Sequence, residues 1–480
     1  MSELSLVVKR DGRKEIFNAY KIKEAINKAF MACIKNNDLS KEELDVNKLE
    51  ELFYDVIDSL KEKFLDNKIP TVEEIQDEVE KGLIKNNFPE IAKRYIIYRN
   101  ERSKIRETKT SLMNTFKNLI LKDSKDNNNK RECANINGDT PQGLMGYIAS
   151  EASRKFNLNF LIDKEVSKAH IDGDIHIHDL DLYMMTTTCC QIDLNKLFTN
   201  GFNTGHGNIR EPKSIRTACS LTAIAIQANQ NDQHGGQSIP ALDYYLAPYI
   251  SKSYTKYFKN NIKKYLRFFI EDIKDEIVDD IISVIDKTIE LKDKEKYSDI
   301  VKEKIKEIFK NNELTEKEIN KILKYSVKEA LAQTEDETYQ GCEALIYNLN
   351  TMNSRGGGQC PFSSINLGTD TSYEGRMLIK NFLLFQEKGL GNGETSIFPI
   401  SIFKVKEGIN YNPEDPNYDL FKLAMRCSSK RMFPNFEFID APFNLQYYKN
   451  GDINTEIATM GATHKNSICT YKYKDKIFKV

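Results

Sequence analysis

Two histidines, four aspartates and the only adjacent cysteine pair of the chain crowd into residues 173–194, GDIHIHDLDLYMMTTTCCQIDL. His176 and His178 stand two apart, so a strand here would project both from one face, with Asp179 beside them. H-x-H at a strand end is a common metal pair. Downstream, however, only His206, His234 and His464 remain, and none has a ligand-like spacing. Residues 186–188 are β-branched threonines that favour a second strand, running into Cys189, Cys190, Gln191 and Ile192. On such a strand Cys189 and Cys190 face opposite sides, so one can look into a site and the other into packing. Three readings stay open on these residues alone. They can be satisfied core histidines and inert small thiols, part of a metallohydrolase, or a site for thiol or radical chemistry.

The elements that would position these groups follow from periodicity. At the N-terminus residues 6–10 alternate weakly and meet Asp11-Gly12, a hairpin turn signal, with Ile16-Phe17 on the return strand. Residues 20–30 read as a helix with Ile22, Ala25, Ile26, Ala29 and Phe30 on one face. A second helix carries Leu49, Phe53, Val56 and Leu60, and Thr71 with Glu74 is a capping box for a third. A fourth begins near Pro89. Lys9, Arg10 and Lys21 lie near the hairpin and could hold a phosphorylated ligand, or form a solvated basic edge. Residues 104–131 have a linker composition, and residues 143–167 a helical pattern. Residues 214–230 read as a small, apolar helix, and His234-Gly235-Gly236-Gln237 as a loop that interrupts it. Residues 254–328 hold no glycine or proline and repeat apolar positions every three or four, as a peripheral insertion of amphipathic helices would. NSRGGGQ at 353–359 permits close backbone approach but lacks the Gly-Lys-Ser/Thr of a phosphate-binding P-loop. Residues 361–367 and 396–403 read as strands flanking a helix, an alternation that argues for α/β architecture.

Composition sets the outer bounds. The 480 residues imply two to four domains, with 29% charged and 40% apolar residues, a globular balance. The formal net charge of −1 supplies no global field for nucleic acid or anionic membrane. No apolar run reaches the ~18 residues of a membrane span, and MSELSLVVKRDG lacks the core of a signal peptide. Nine scattered cysteines without a C-x-x-C fit free thiols in a reducing cytoplasm.

Two sets of motifs carry a resemblance. VVKRDGRKEIFNAYKIKEAINKAF, followed by IIYRNER, resembles the ATP-cone, the nucleotide-sensing domain of many ribonucleotide reductases. That resemblance implies ATP or dATP as allosteric effectors, contacted by Val7, Lys9, Arg10, Glu15, Asn18, Lys21 and Ile22. GDIHIHDLD, CCQIDL, EPKSIRTA, HGGQSIPALDYYLAP, GQCPF, GLG, IFP, DPNYD and CSSKRMFP then occur in the order found in anaerobic (class III) ribonucleoside-triphosphate reductases. The implied fold class is α/β: an ATP-cone over residues 1–102, a linker over 103–131, and the first part of a ten-stranded α/β barrel over 132–461 with a helical insertion at about 254–330. The implied activity is radical reduction of ribonucleoside triphosphates. Cys189, by its place in C-x-x-I-D-L, would be the early-strand cysteine that joins reduction of the 2′ carbon, and Cys190 the packing residue. His176, His178 and Asp179 become substrate-proximal candidates, with no metal site among them. The family also implies a glycyl radical, formate, zinc, an activating radical-S-adenosylmethionine enzyme, a homodimer and a cytoplasmic location, without membrane or direct nucleic-acid contact.

At its end the sequence departs from that pattern. Met460-Gly461 is followed by Ala462 where the family carries the thiyl cysteine, and residues 462–480 read as a non-family tail in which Cys469 falls seven residues late. The expectation is of an interrupted reading frame, with the glycyl-radical loop and the zinc cysteines absent. Such a chain would be inactive by itself, and a non-catalytic, nucleotide-sensing fragment is the alternative.

Overall fold

Leu6–Val8 (β1) and Lys14–Ile16 (β2) pair antiparallel, Val7 opposite Glu15. Gly12 at the turn has φ +83°, which a glycine adopts without steric cost. The computed structural model describes residues 4–10, 12–35, 46–64, 68–121, 140–183, 187–205, 207–309, 314–353, 359–449, 451–459, 465–466, 470–473 and 476–479. Asp11, the glycine run at 356–358, His206, Ala462, His464 and Cys469 lie outside them.

Four helices follow the hairpin: Tyr20–Lys35 (α1), Val46–Lys63 (α2), Val72–Lys85 (α3) and Pro89–Leu121 (α4). Their apolar stripes close on Ile26, Phe30, Leu52, Val56, Leu60, Leu83 and Ile91. The capping box is present at α3: the Thr71 hydroxyl accepts from Glu74 N–H while the Glu74 carboxylate takes Thr71 N–H. Helix α4 spans residue 103. The expected linker from 103 begins inside it, and the helix runs on to Leu121. Pro141–Phe156 (α5) and Lys164–Asp172 (α6) come next. The chain divides into two compact units, residues 1–121 with 151–181, and residues 122–150 with 182–480.

In the second unit Thr187–Gln191 (β3) leads through Leu194–Asn200 (α7), a small hairpin of Phe202–Asn203 (β4) and Asn208–Ile209 (β5), and Ile215–Asn229 (α8) to Gln233–Ile239 (β6). Thus His234–Gln237, expected as a loop, is strand. Parallel partners on both sides, β3 and Ser363–Leu367 (β7, below), override the weak strand preference of two glycines. The helices Leu242–Phe269 (α9), Asp275–Ser283 (α10), Lys294–Ile308 (α11) and Glu316–Thr351 (α12) precede β7. The expected insertion boundaries at 254 and 330 therefore fall inside two long helices. Tyr254, Phe258 and Ile262 on α9 belong to the main core with Ile239 and Leu367, so the first turns of the expected insertion are part of that core. Tyr373–Lys388 (α13), Ile400–Val405 (β8), Tyr418–Arg431 (α14), Asn435–Phe438 (β9), Pro442–Leu445 (α15) and Ala458–Thr459 (β10) complete the series.

The five main strands form one parallel sheet in the order β3-β6-β7-β8-β9. Alternation along the strands divides its faces. Ile239, Ile365, Leu367, Phe403 and Val405 enter the apolar core together with residues of α8, α9, α12, α13 and α14. Ser238, Ser364, Asn366 and Lys404, each out of phase with them, are also buried. A parallel sheet covered by helices on both faces is apolar on both; the second face here is polar.

Candidate active site

Cys189 sits at an irregularity. Thr188 pairs with His234 and Cys190 with Gln237, so one residue of β3 faces two of β6. Cys189 takes φ +46° there, a conformation that costs a non-glycine residue about 1–3 kcal/mol and recurs at functional sites. Its Sγ accepts from Gly236 N–H at 3.3 Å, while Cys190 turns into the helix-side core. Asn229 Nδ2 lies 3.0 Å from Cys190 Sγ, and burial pushes that thiol's pKa up. The two cysteines thus have different surroundings, one packed and one on the seam between two strands.

The polar face carries groups that sequence reasoning missed. Lys404 Nζ and Glu456 Oε2 are 2.6 Å apart, with side chains 0% and 1% exposed. Thr369 Oγ1 donates to the same carboxylate oxygen at 3.0 Å. Asp243, in the first turn of α9, accepts through Oδ2 from the N–H groups of Gly368, Thr369 and Asp370 at 2.8, 3.2 and 3.2 Å. Burial pushes its carboxyl up to about 6, against the pull of Lys404. Burial also raises Asp370. Asn410 and Asn417 donate to Gly368 O at 3.0 and 3.2 Å from the other side of this turn. The only hint in the sequence is a lone lysine in ISIFKV and an asparagine in SSINL. Both read as interruptions until the sheet shows that they share a face.

The histidine pair differs from expectation. Helix α6 ends at Gly173, whose φ is +87°, and His176, His178 and Asp179 follow in a turn, not a strand. Both imidazoles are exposed. His170 and His176 have ring centroids 5.8 Å apart, as do His176 and His178, and His170 Nδ1 accepts from Ile177 N–H at 3.1 Å. Among the described residues, no group of three or more His, Cys, Asp or Glu could hold a metal ion. His176, His178 and Asp179 belong to the first compact unit and Cys189 to the second.

At the hairpin, Val7 and Ile22 are buried, and Ile22 belongs to the helical core. Lys9 pairs with Glu15 at 3.1 Å, and Asn18 Oδ1 accepts from Tyr20 N–H at 3.0 Å at the start of α1. Arg10 bonds to Glu73 and Gln76 on α3. Glu73 is itself shared with Arg99 of α4 at 2.9 Å. Lys21 is exposed on the first turn of α1. Two cations of this set, Lys9 and Arg10, therefore already meet carboxylates, and an anionic ligand would compete with Glu15 and Glu73 for them.

Comparison with known proteins places the chain. Residues 132–474 match the family model of anaerobic ribonucleoside-triphosphate reductase, and residues 5–104 that of the ATP cone domain. The chain belongs to the anaerobic ribonucleoside-triphosphate reductase family, with an ATP cone at its front. It is 29% identical to the anaerobic ribonucleoside-triphosphate reductase of Salmonella typhimurium, over 89% of this chain and 51% of that protein. To the enzyme of the same name from Enterobacteria phage T4 it is 31% identical, over 66% of this chain and 43% of the relative. The chain spans about half the length of the curated relatives it matches. A solved anaerobic ribonucleotide reductase from Thermotoga maritima is similar with a TM-score of 0.41 at 12% identity, over 73% of this chain and 52% of that one. Among the described residues, no helix is long and apolar enough to cross a membrane.

Proposed function

We propose that this chain provides the nucleotide-sensing domain and the first barrel strands of a cytoplasmic reductase that converts ribonucleoside triphosphates to deoxyribonucleoside triphosphates by radical chemistry. The observation that carries the reading is the polar second face of the parallel sheet. It is buried, and Ser238, Asn366 and Lys404 on it find hydrogen-bond partners, which gives a polar surface that an ordinary helix-covered face does not have.

Cys189 is the reducing thiol on this reading. Its bulge takes it out of the core that holds Cys190, leaving a thiol free to pass between reduced and oxidised states. Val7, Lys9, Arg10, Glu15, Asn18, Lys21 and Ile22 form the effector site. Val7 and Ile22 supply its buried apolar positions, and Lys9, Arg10 and Lys21 supply charge for the phosphates. His176, His178 and Asp179 remain candidates for contact with the substrate. Zinc, formate and the glycyl radical enter as chemistry of the family. None of the residues described above would hold them. A homodimer and an activating radical-S-adenosylmethionine enzyme are the expected partners.

Calorimetry tests the sensing half. ATP or dATP should bind the 480-residue chain, and Lys9→Ala or Lys21→Ala should weaken binding by about tenfold, the scale of one charge-assisted contact. No heat with either nucleotide would contradict the assignment.

A further inference from the structure

Side chains hold β10 against the sheet along one edge. Asn366, fully buried on β7, makes reciprocal bonds with Thr459: Nδ2 donates to the carbonyl and Oδ1 accepts from the N–H, both at 3.1 Å. Ser238 Oγ on β6 donates to the same carbonyl at 3.1 Å and accepts from Asn366 Nδ2 at 2.9 Å. Gln191, two residues after Cys189 on β3, donates from Nε2 to Ala458 O at 3.4 Å. The other edge of β10 pairs with residues 465–466, Thr459 opposite Lys465. Three residues upstream, Glu456 is held by Lys404 and Thr369.

These contacts specify a register. The side-chain amide of Asn366 satisfies both backbone groups of one residue, as a neighbouring strand would. A slip of one residue would bring the opposite face of β10 to the sheet, leaving Asn366 Oδ1 without its N–H donor and the Lys404 ammonium without its carboxylate, while Asn366 Nδ2 keeps Ser238 Oγ and Ile239 O. A buried ion pair adds little net stability over well-packed apolar residues, and its best-attested use is to select one register over others.

We propose that Asn366 and the Lys404–Glu456 pair are positioning residues. They fix how residues 456–459 cross the polar face, and so the point from which the chain enters Met460-Gly461. The catalytic consequence rests on the reductase reading, because that motif is the one the family resemblance joins to radical transfer. The positioning itself does not rest on it.

Hydrogen exchange read by mass spectrometry on the full chain tests the proposal, with peptides over 457–459 as the signal and over 363–367 and 400–405 as internal references. Asn366→Leu keeps the volume and removes the amide. It should speed exchange at 457–459 by about tenfold or more with the references unchanged, a local opening. The double variant Lys404→Met/Glu456→Leu should do the same without lowering the melting temperature. If Asn366→Leu does not fold, Ser238→Ala gives the same reading through the shared carbonyl. Unchanged exchange at 457–459, or exchange that rises equally in all three peptides, overturns the proposal. In a reductase assembled around this chain, Asn366→Leu should lower kcat and leave KM for the ribonucleotide alone. Local opening with kcat unchanged would overturn the catalytic consequence and leave the positioning standing. Unchanged exchange in Asn366→Leu, with a wild type that reduces the ribonucleotide, would overturn the positioning and leave the reductase reading standing.

Discussion

Cys189 and Cys190 are neighbours in sequence and have different surroundings. Cys190 is packed against α8, next to Asn229, with its pKa raised by burial, and the thiolate is the reactive form. Cys189 lies outside that core. Iodoacetamide should therefore modify Cys189 about tenfold faster than Cys190 in the folded chain. Peptide mass spectrometry over a time course checks this, and equal rates would place both thiols in one environment. That the two cysteines do not share surroundings was legible from strand alternation; that Cys189 sits on the seam beside Gly236 N–H was not. The bulge was not, because it depends on the two glycines of β6 that face Cys189 and on pairing that no local pattern encodes. The histidines mark the limit in the other direction. A two-residue spacing suggests a strand, but a strand needs a partner, and Gly173 ends α6 in a turn that supplies none.

At the scale of elements, α3 is the hub of the first unit. Its capping box orders its first turn, and Arg10 and Arg99 both reach Glu73 within that turn. Thr71→Ala should cost about 1 kcal/mol and speed amide exchange in residues 72–75 ahead of the rest of the helix. Uniform exchange along α3 would show that the cap is not limiting. The capping box could be read from Thr71 and Glu74 because it is local. The length of α4 goes unread although Leu112, Phe116, Leu119 and Ile120 recur at helical spacing, because the Asp/Asn/Lys run that follows makes the whole stretch look like a linker. The turn after β7 has its own pH signature. Asp243 is pushed up to about 6 in the fold from ~3.9 when unfolded. Its contribution is therefore fully present below pH ~4 and is lost as pH rises through ~6, a change of ~2–3 kcal/mol. The stability of the wild type relative to Asp243→Asn should fall between pH 4 and 7. Denaturation of both at each pH checks the sign, and a difference that grows with pH would mean that the three N–H donors outweigh burial.

For the molecule as a whole, α/β architecture was legible in the alternation of residues 361–403, and family membership in the order of many short motifs. The inner face was not. Asn366 and Lys404 interrupt apolar strands, and only the assembled sheet shows that they line one surface with Ser238. The central claim is that this surface and Cys189 serve ribonucleotide reduction. The most direct measurement is an anaerobic product assay on the reductase assembled around this chain, with its activating enzyme, S-adenosylmethionine, formate and a ribonucleoside triphosphate. Deoxyribonucleoside triphosphate should form with the wild type, be abolished by Cys189→Ser and be largely retained by Cys190→Ser. Retained product in Cys189→Ser with loss in Cys190→Ser would contradict the assignment of the reducing thiol.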